Sequence, residues 1–196
     1  MQSRPHGLLQ HVERVAAEAL DLARRWDIDP ERVELAVRGH DLFRSFPEAE
    51  QLRLAREAGI PIVPADIASP IVLHGPVAAA VLRERFAVED EDVLSAIRDH
   101  TLGAARMPLI ARVILLADKI EARKRRRDPI MNDIRRLARR DLDVALLCWA
   151  DWKWVEERTH RWPGHPGHWD ARVAWVREHH LDAALPARIS VAQFEG

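Results

Sequence analysis

The sequence predicts an all-α fold, and three observations carry that prediction. Apolar residues recur with the period of a helix through almost every segment, and no stretch alternates strictly enough for a strand. Prolines and capping aspartates stand at the starts of several of these segments. A chain of 196 residues, 47% apolar and 31% charged, has ordinary globular composition, with length enough for one sizeable core and too little for two comfortable ones.

The elements follow in order. A first helix spans about Gly7 to Trp26, with Leu8, Val12, Val15, Ala16, Ala19 and Leu22 on one face. Asp29 caps a second, with Pro30 in its first turn, running through ERVELAVRGHDLFRS. A third covers roughly Glu48 to Ala58 and stops at Gly59. The stretch IPIVPADIASPIVLHG holds three prolines and reads as a loop with one turn of helix. Pro76 opens VAAAVLRERF, Asp90 or Glu91 starts DVLSAIRDHT, and Pro108 opens the long LIARVILLADKIEARKRRR. After Asp128-Pro129 come helices at about Met131 to Arg140 and Leu142 to His160. RWPGHPGHWD reads as a loop, and a last helix runs from about Asp170 to Leu181. The expectation is eight or nine helices in one domain, residues 1–185, with a metal-binding core at about 7–147, Trp-rich helices at 142–185 and a polar tail at 186–196.

Composition excludes several classes. Lys plus Arg is 30 and Asp plus Glu 31, a net charge of −1, which argues against a nucleic-acid partner. The one cysteine, Cys148, excludes a disulfide framework and a thiolate zinc site. MQSRPHGLLQ lacks an apolar signal core, and no apolar run is long enough for a span, so a soluble, cytoplasmic protein without a membrane partner is expected.

The informative residues are titratable ones on apolar stripes. His11 lies on the line Leu8, His11, Val15, Ala19, Leu22, and His100 continues the stripe of Val93 and Ile97. Asp118 follows Ile110 and Ile114 on a very apolar helix, where a lone carboxylate would cost several kcal/mol and needs a cation, a metal or an arginine. His40 and Asp41 end ELAVRGHD, and His74 precedes Gly75 and Pro76. A His-Asp dipeptide alone arises about once by chance in a chain this rich in both. Together, four histidines and two aspartates on separate inward faces are explained by one shared metal centre, without thiolate and suited to Fe, Mn, Co, Ni or Zn. Six ligands exceed the need of one open ion and match two ions bridged by a carboxylate.

The order H…HD…H…H…D resembles the HD-domain metal-dependent phosphohydrolases, and within them the YqeK-type bacterial symmetrical diadenosine tetraphosphate hydrolases. The resemblance rests on His11-Val12-Glu13-Arg14-Val15, Gly39-His40-Asp41-Leu42, Leu73-His74-Gly75-Pro76-Val77-Ala78, Ala96 to Gly103 with His100-Thr101-Leu102-Gly103, Met107, and Leu116-Ala117-Asp118-Lys119-Ile120-Glu121. It covers roughly His11 to Leu147, where the helix beginning DLDVALL also looks like the family. It implies an HD-domain helical bundle with two divalent ions, often iron. His11, His40, Asp41 and Asp118 would surround one ion, and Asp41 would bridge to a second held by His74 and His100. It implies symmetrical cleavage of diadenosine tetraphosphate to two ADP by a di-metal-activated hydroxide. Arg44 stands where the family commonly has Lys, and Lys124 or Arg125 replaces a family Arg. Asp41, Arg44 and Lys119 are the expected catalytic residues, with Arg44, Thr101, Arg106 and Lys124 on the anionic nucleotide substrate.

Other features read more plainly. The arginines from Arg123 to Arg140 are interspersed with acids and read as a solvated face rather than an RNA site. His160, His165 and His168 lie in a Pro/Gly loop and read as adventitious rather than a further metal site. Trp149, Trp152, Trp169 and Trp175 read as core or a homodimer seam rather than a base-stacking platform. Rival functions are an HD phosphohydrolase on a nucleoside mono- or triphosphate, an HD-fold di-iron oxygenase, and a binding protein with a dead site. The basic residues argue against the oxygenase and the complete ligand set against the dead site.

Overall fold

A computed structural model describes residues 6–182; residues 1–5, the last residues of the expected domain at 183–185 and the expected tail at 186–196 lie outside the described residues. The described elements are α1 (His6–Arg25), α2 (Pro30–His40), α3 (Glu48–Glu57), α4 (Pro64–Ala68), a 3-10 turn (Pro70–Leu73), α5 (His74–Phe86), α6 (Glu91–Asp99), α7 (Leu109–Ile120), α8 (Ala122–Arg127), α9 (Ile130–Ala138), α10 (Leu142–His160) and α11 (Pro166–Asp182). No strand occurs among them, so the all-α expectation holds. None of the described helices is long and apolar enough to cross a membrane.

The bundle is built around α7. Nine of its twelve residues are buried, Ile114, Leu115 and Leu116 completely, each worth about 1.5–3 kcal/mol on burial. Helices α1, α6, α9 and α10 pack against it. One buried cluster runs from Val12 on α1 to Trp175 on α11, and a smaller one under α3 gathers Ala55, Leu73 and Val77. The expected caps form: Asp29 accepts from the Glu31 amide at 2.9 Å, and Asp90 from Asp92 and Val93 at 3.1 Å.

Four boundaries differ from expectation, each for a local reason. Helix α2 ends at His40, not Ser45: the His40 ring takes the Val37 carbonyl at 2.6 Å, and the Asp41 amide turns to Gly39 instead. The long segment after Pro108 breaks at Glu121, whose extended backbone (ψ 158°) makes it the N-cap of α8, its carboxylate accepting from the Arg123 amide at 2.7 Å. Helix α5 begins at His74, two residues before Pro76, where a missing amide costs nothing because first-turn amides have no helical partner. Helix α11 begins at Pro166, because His165 Nδ1 accepts from the Gly167 amide at 3.0 Å. The proline-rich loop holds both α4 and the 3-10 turn, so the described helices number eleven.

The arginine run is also not one solvated face. Arg125 and Arg135 pair with Glu18, and Arg139 with Asp21, which bolts α8 and α9 to α1. Trp149 and Trp175 are buried as expected, whereas Trp169 is 43% exposed.

Candidate metal centre

Six side chains converge from five elements: His11 from the first turns of α1, His40 at the end of α2 with Asp41 beside it, His74 at the start of α5, His100 just past α6, and Asp118 in the last turn of α7. His40, Asp41, His74 and His100 are all 1% exposed or less. The two carboxylate oxygens of Asp41 face opposite ways. Oδ1 lies 3.1 Å from His74 Nε2 and 3.6 Å from His100 Nε2. Oδ2 lies 3.5 Å from His11 Nε2 and 3.6 Å from His40 Nε2. His11 Nε2 is in turn 3.1 Å from Asp118 Oδ1.

Three of the imidazoles are held alike. The Nδ1 of His40 contacts the Val37 carbonyl at 2.6 Å, that of His100 the Ile97 carbonyl at 2.8 Å, and that of His74 the Ile71 carbonyl. Each acceptor is three residues back, at a helix end where carbonyls lack partners. A carbonyl only accepts, so each Nδ1 carries the proton and each Nε2 presents a lone pair. The lone pairs converge: His74 Nε2 and His100 Nε2 are 2.9 Å apart. The interior is therefore lined by acceptors. His40 Nε2 and Asp41 Oδ2 are buried without any hydrogen-bond partner, a costly arrangement that a cation resolves. His11, His40 and Asp118 form one cluster with ligand atoms within 4.8 Å of one another, and His40, Asp41 and His100 form a second. The donor set fits a divalent metal of borderline-hard character.

Charge agrees with that reading. Burial pushes the His100 pKa down to about 3 and lowers that of His40, so both rings are neutral and able to ligate at pH 7. Burial works against the Asp41 carboxylate, and the Nε2 atoms facing its oxygens carry no proton to donate, so a bound cation is what would hold it ionised. Asp118 is likewise ionised against its burial, through Lys119 and Lys124.

The remaining expected residues divide. Lys119 Nζ and Lys124 Nζ each sit 2.7 Å from an Asp118 oxygen, and Lys124 also donates to the Asp118 carbonyl at 2.6 Å. The cation beside Asp118 is thus a pair of lysines rather than an arginine. Thr101 Oγ1 is 3.1 Å from His100 Nε2, and Arg44 Nε is 3.7 Å from Asp41 Oδ2. All four line a cavity of about 1220 Å³ over the cluster. Arg106 does not: it is exposed and absent from the cavity wall, because its neighbour Met107 is the residue turned into the core. His160 stacks on Trp162 at the surface, whereas His165 and His168 line the cavity, so the three histidines do not gather.

Sequence reasoning missed several residues. Glu121 is 1% exposed, receives Arg14 Nε at 2.6 Å and stands 3.8 Å from His11 Nδ1, a negative charge beside that ring. Arg14, Arg123, Arg126 and Arg127 line the cavity, as do Trp149, Trp152 and His168. A continuous helical pattern hid the break at Glu121, after which Arg123, Arg126 and Arg127 follow.

Comparison with known proteins agrees with this geometry. A family model described as HD domain matches residues 8–123. The chain is 35% identical over 137 residues to "Bis(5'-nucleosyl)-tetraphosphatase, symmetrical" of Bacillus subtilis, covering 70% of this chain and 72% of that protein. It is 37% identical over 140 residues to the protein of the same name from Halalkalibacterium halodurans, again covering 70% and 72%. Among solved structures, a "predicted HD superfamily hydrolase involved in NAD metabolism" from Clostridium acetobutylicum superposes with a TM-score of 0.80 at 27% identity, covering 86% of this chain and 88% of that one.

Proposed function

This chain belongs to the HD domain family, and from that premise we propose that it is a metal-dependent phosphohydrolase that cleaves diadenosine tetraphosphate symmetrically into two ADP. The observation that carries the metal part is the set of converging Nε2 lone pairs around a carboxylate whose two oxygens face two different histidine pairs. On this reading His11, His40 and Asp118 hold one ion, His74 and His100 a second, and Asp41 spans both. Two divalent ions, iron in our proposal, supply Lewis-acid polarisation of a phosphoryl oxygen and an activated water when bound.

The rest is done by the chain. The lysines at Asp118 and the guanidinium of Arg44 beside Asp41 Oδ2 gather cations over the half of the cluster formed by His11, His40 and Asp118, where they can hold phosphate oxygens next to the one on the ions. Arg14, Arg123, Arg126 and Arg127 continue the basic wall for the outer phosphates. The Thr101 hydroxyl, 3.1 Å from His100 Nε2, is placed to donate to a phosphate oxygen. The cavity exceeds the roughly 300–1,000 Å³ usual for small ligands, as a dinucleotide requires. The substrate also supports a cytoplasmic location, and the continuous core supports one domain over residues 1–185.

Product analysis tests the substrate. Diadenosine tetraphosphate incubated with the Mn- or Fe-loaded protein should give ADP alone by chromatography. ATP plus AMP, or no turnover beside brisk cleavage of a mononucleotide, would overturn the substrate while leaving a metallohydrolase.

A further inference from the structure

The cavity over the metal centre has two unlike arms. Around the cluster the wall is basic. Beyond Lys119 it becomes aromatic, built by a stripe of α10 (Trp149, Trp152, Lys153, Glu156) and by the start of α11. This second arm lies outside residues 8–123, the part that matches the HD domain. The two arms touch: Lys119 Nζ sits 5.5 Å above the Trp149 ring, which meets the His168 ring edge-on at 5.0 Å.

Three properties of the aromatic arm specify a ligand. First, Glu156 and Glu157 line it beside Lys153, at 3.8 Å and 3.4 Å, so carboxylates enter a wall that around the cluster is basic. Carboxylates on a wall disfavour a phosphate beside them and suit a polar, uncharged group such as a base. Second, Trp152 is half-buried on that wall, an aromatic surface open to a flat partner. Third, His168 is 6% exposed, lines the cavity, and its Nε2 has no hydrogen-bond partner. A buried imidazole nitrogen without a partner is a vacant hydrogen-bonding position.

We infer that this arm is the subsite for one terminal nucleoside of the substrate, its base stacked on Trp152 and hydrogen-bonded to His168 Nε2. The inference rests on the proposed nucleotide phosphohydrolase reading and deepens it. Two helices beyond the HD-matched segment thereby read the base, while the HD-matched helices and α8 handle the phosphates. The arm is closed at its far side by His165, whose Nε2 lies 3.0 Å from Asp66 Oδ1 on α4, so both ends of the wall are fixed.

The experiment compares ADP with inorganic pyrophosphate, which has no nucleoside, by calorimetry on the full-length Mn-loaded protein. Trp152→Ala should weaken ADP about tenfold or more, by the usual cost of removing a stacking aromatic, and leave pyrophosphate within about twofold. Trp152→Phe should restore most of the ADP affinity. His168→Gln, which keeps a hydrogen-bonding side chain, should lose less than His168→Ala. Equal weakening of both ligands, unchanged ADP binding in Trp152→Ala, or a parent protein that does not bind ADP would overturn the subsite. If the pattern holds while diadenosine tetraphosphate is not cleaved, the proposed reaction fails and the nucleoside subsite stands.

Discussion

Replacing Gly75 by alanine tests how the two histidines of the second cluster are brought together. Gly75 sits in the first turn of α5 against the end of α6. A Cβ there would lie 2.7 Å from the Ile97 carbonyl oxygen, 2.9 Å from that of Arg98 and 3.2 Å from His100 Cε1. Carbon–oxygen contacts normally begin near 3.3 Å, so the methyl would intrude by about half an ångström on two backbone carbonyls. Backbone does not rotate out of the way, and the Ile97 carbonyl also anchors the His100 ring. Helices α5 and α6 must therefore part, which separates His74 from His100. Overpacking of this kind costs about 1–3 kcal/mol, or a melting temperature lowered by roughly 2–12 °C in a chain of this size. Gly39→Ala is the internal control. Its Cβ would also meet atoms at 2.7 and 3.0 Å, but these are the Cδ1 ends of Ile97 and Leu82, which can yield, and alanine adds about 1 kcal/mol of helix propensity. Calorimetric melting of both variants and metal titration of each would decide. Gly75→Ala melting no lower than Gly39→Ala, with metal affinity intact, would refute the close-approach argument.

Three further outcomes are expected. Asp41→Ala removes the proposed bridge, so elemental analysis of the Fe- or Mn-loaded variant should find fewer than one ion per chain; retention of two would exclude the bridging role. Glu121→Gln loses the charge beside His11 and half of the Arg14 pairing, and metal affinity by competition with a chromophoric chelator should fall about 10–100-fold, the usual effect of a partner that orients a ligand. His168 is neutral in the fold because burial lowers its pKa to about 4, against about 6.5 in an unfolded chain. Between those values the unfolded state binds the extra proton, so this contribution to stability is full above pH 6.5 and declines towards pH 4, by at most about 3 kcal/mol. His168→Phe should flatten the pH dependence of melting in that window, and an unchanged slope would remove His168 as its source.

The six converging side chains were legible because a charge or imidazole on an apolar stripe has few explanations, and because His11, His100 and Asp118 each lie in register with buried neighbours such as Val15, Ile97 and Ile114. What holds them was not. The anchoring of His40, His74 and His100 to carbonyls three residues back depends on where α2, the 3-10 turn and α6 stop, and no residue in HDLFR breaks a helix by its own preference. The side chain of His40 itself competes for the carbonyl that would have prolonged α2. The break at Glu121 was hidden in the same way: Glu, Ala, Arg and Lys all favour helix, and only the distant Arg14 and the Arg123 amide make Glu121 a cap. Arg106 lies outside the cavity wall because the chain has left the helix there and it is Met107 that turns inward.

The two-armed cavity also bears on how such an enzyme can change. The proposed metal-holding residues sit on or beside α1, α2, α5, α6 and α7, whose interlocked ends leave little freedom, while the aromatic arm belongs to α10, which meets that group at α7, and to α11, which packs on α10. If the subsite is as we infer, substitutions at Trp152, Glu156 or His168 would alter what is selected and leave His11, His40, Asp41, His74, His100 and Asp118 in place. The reactive half is thus insulated from drift in the selective half, and new specificities are reachable by single steps along α10 that never pass through a metal-free protein.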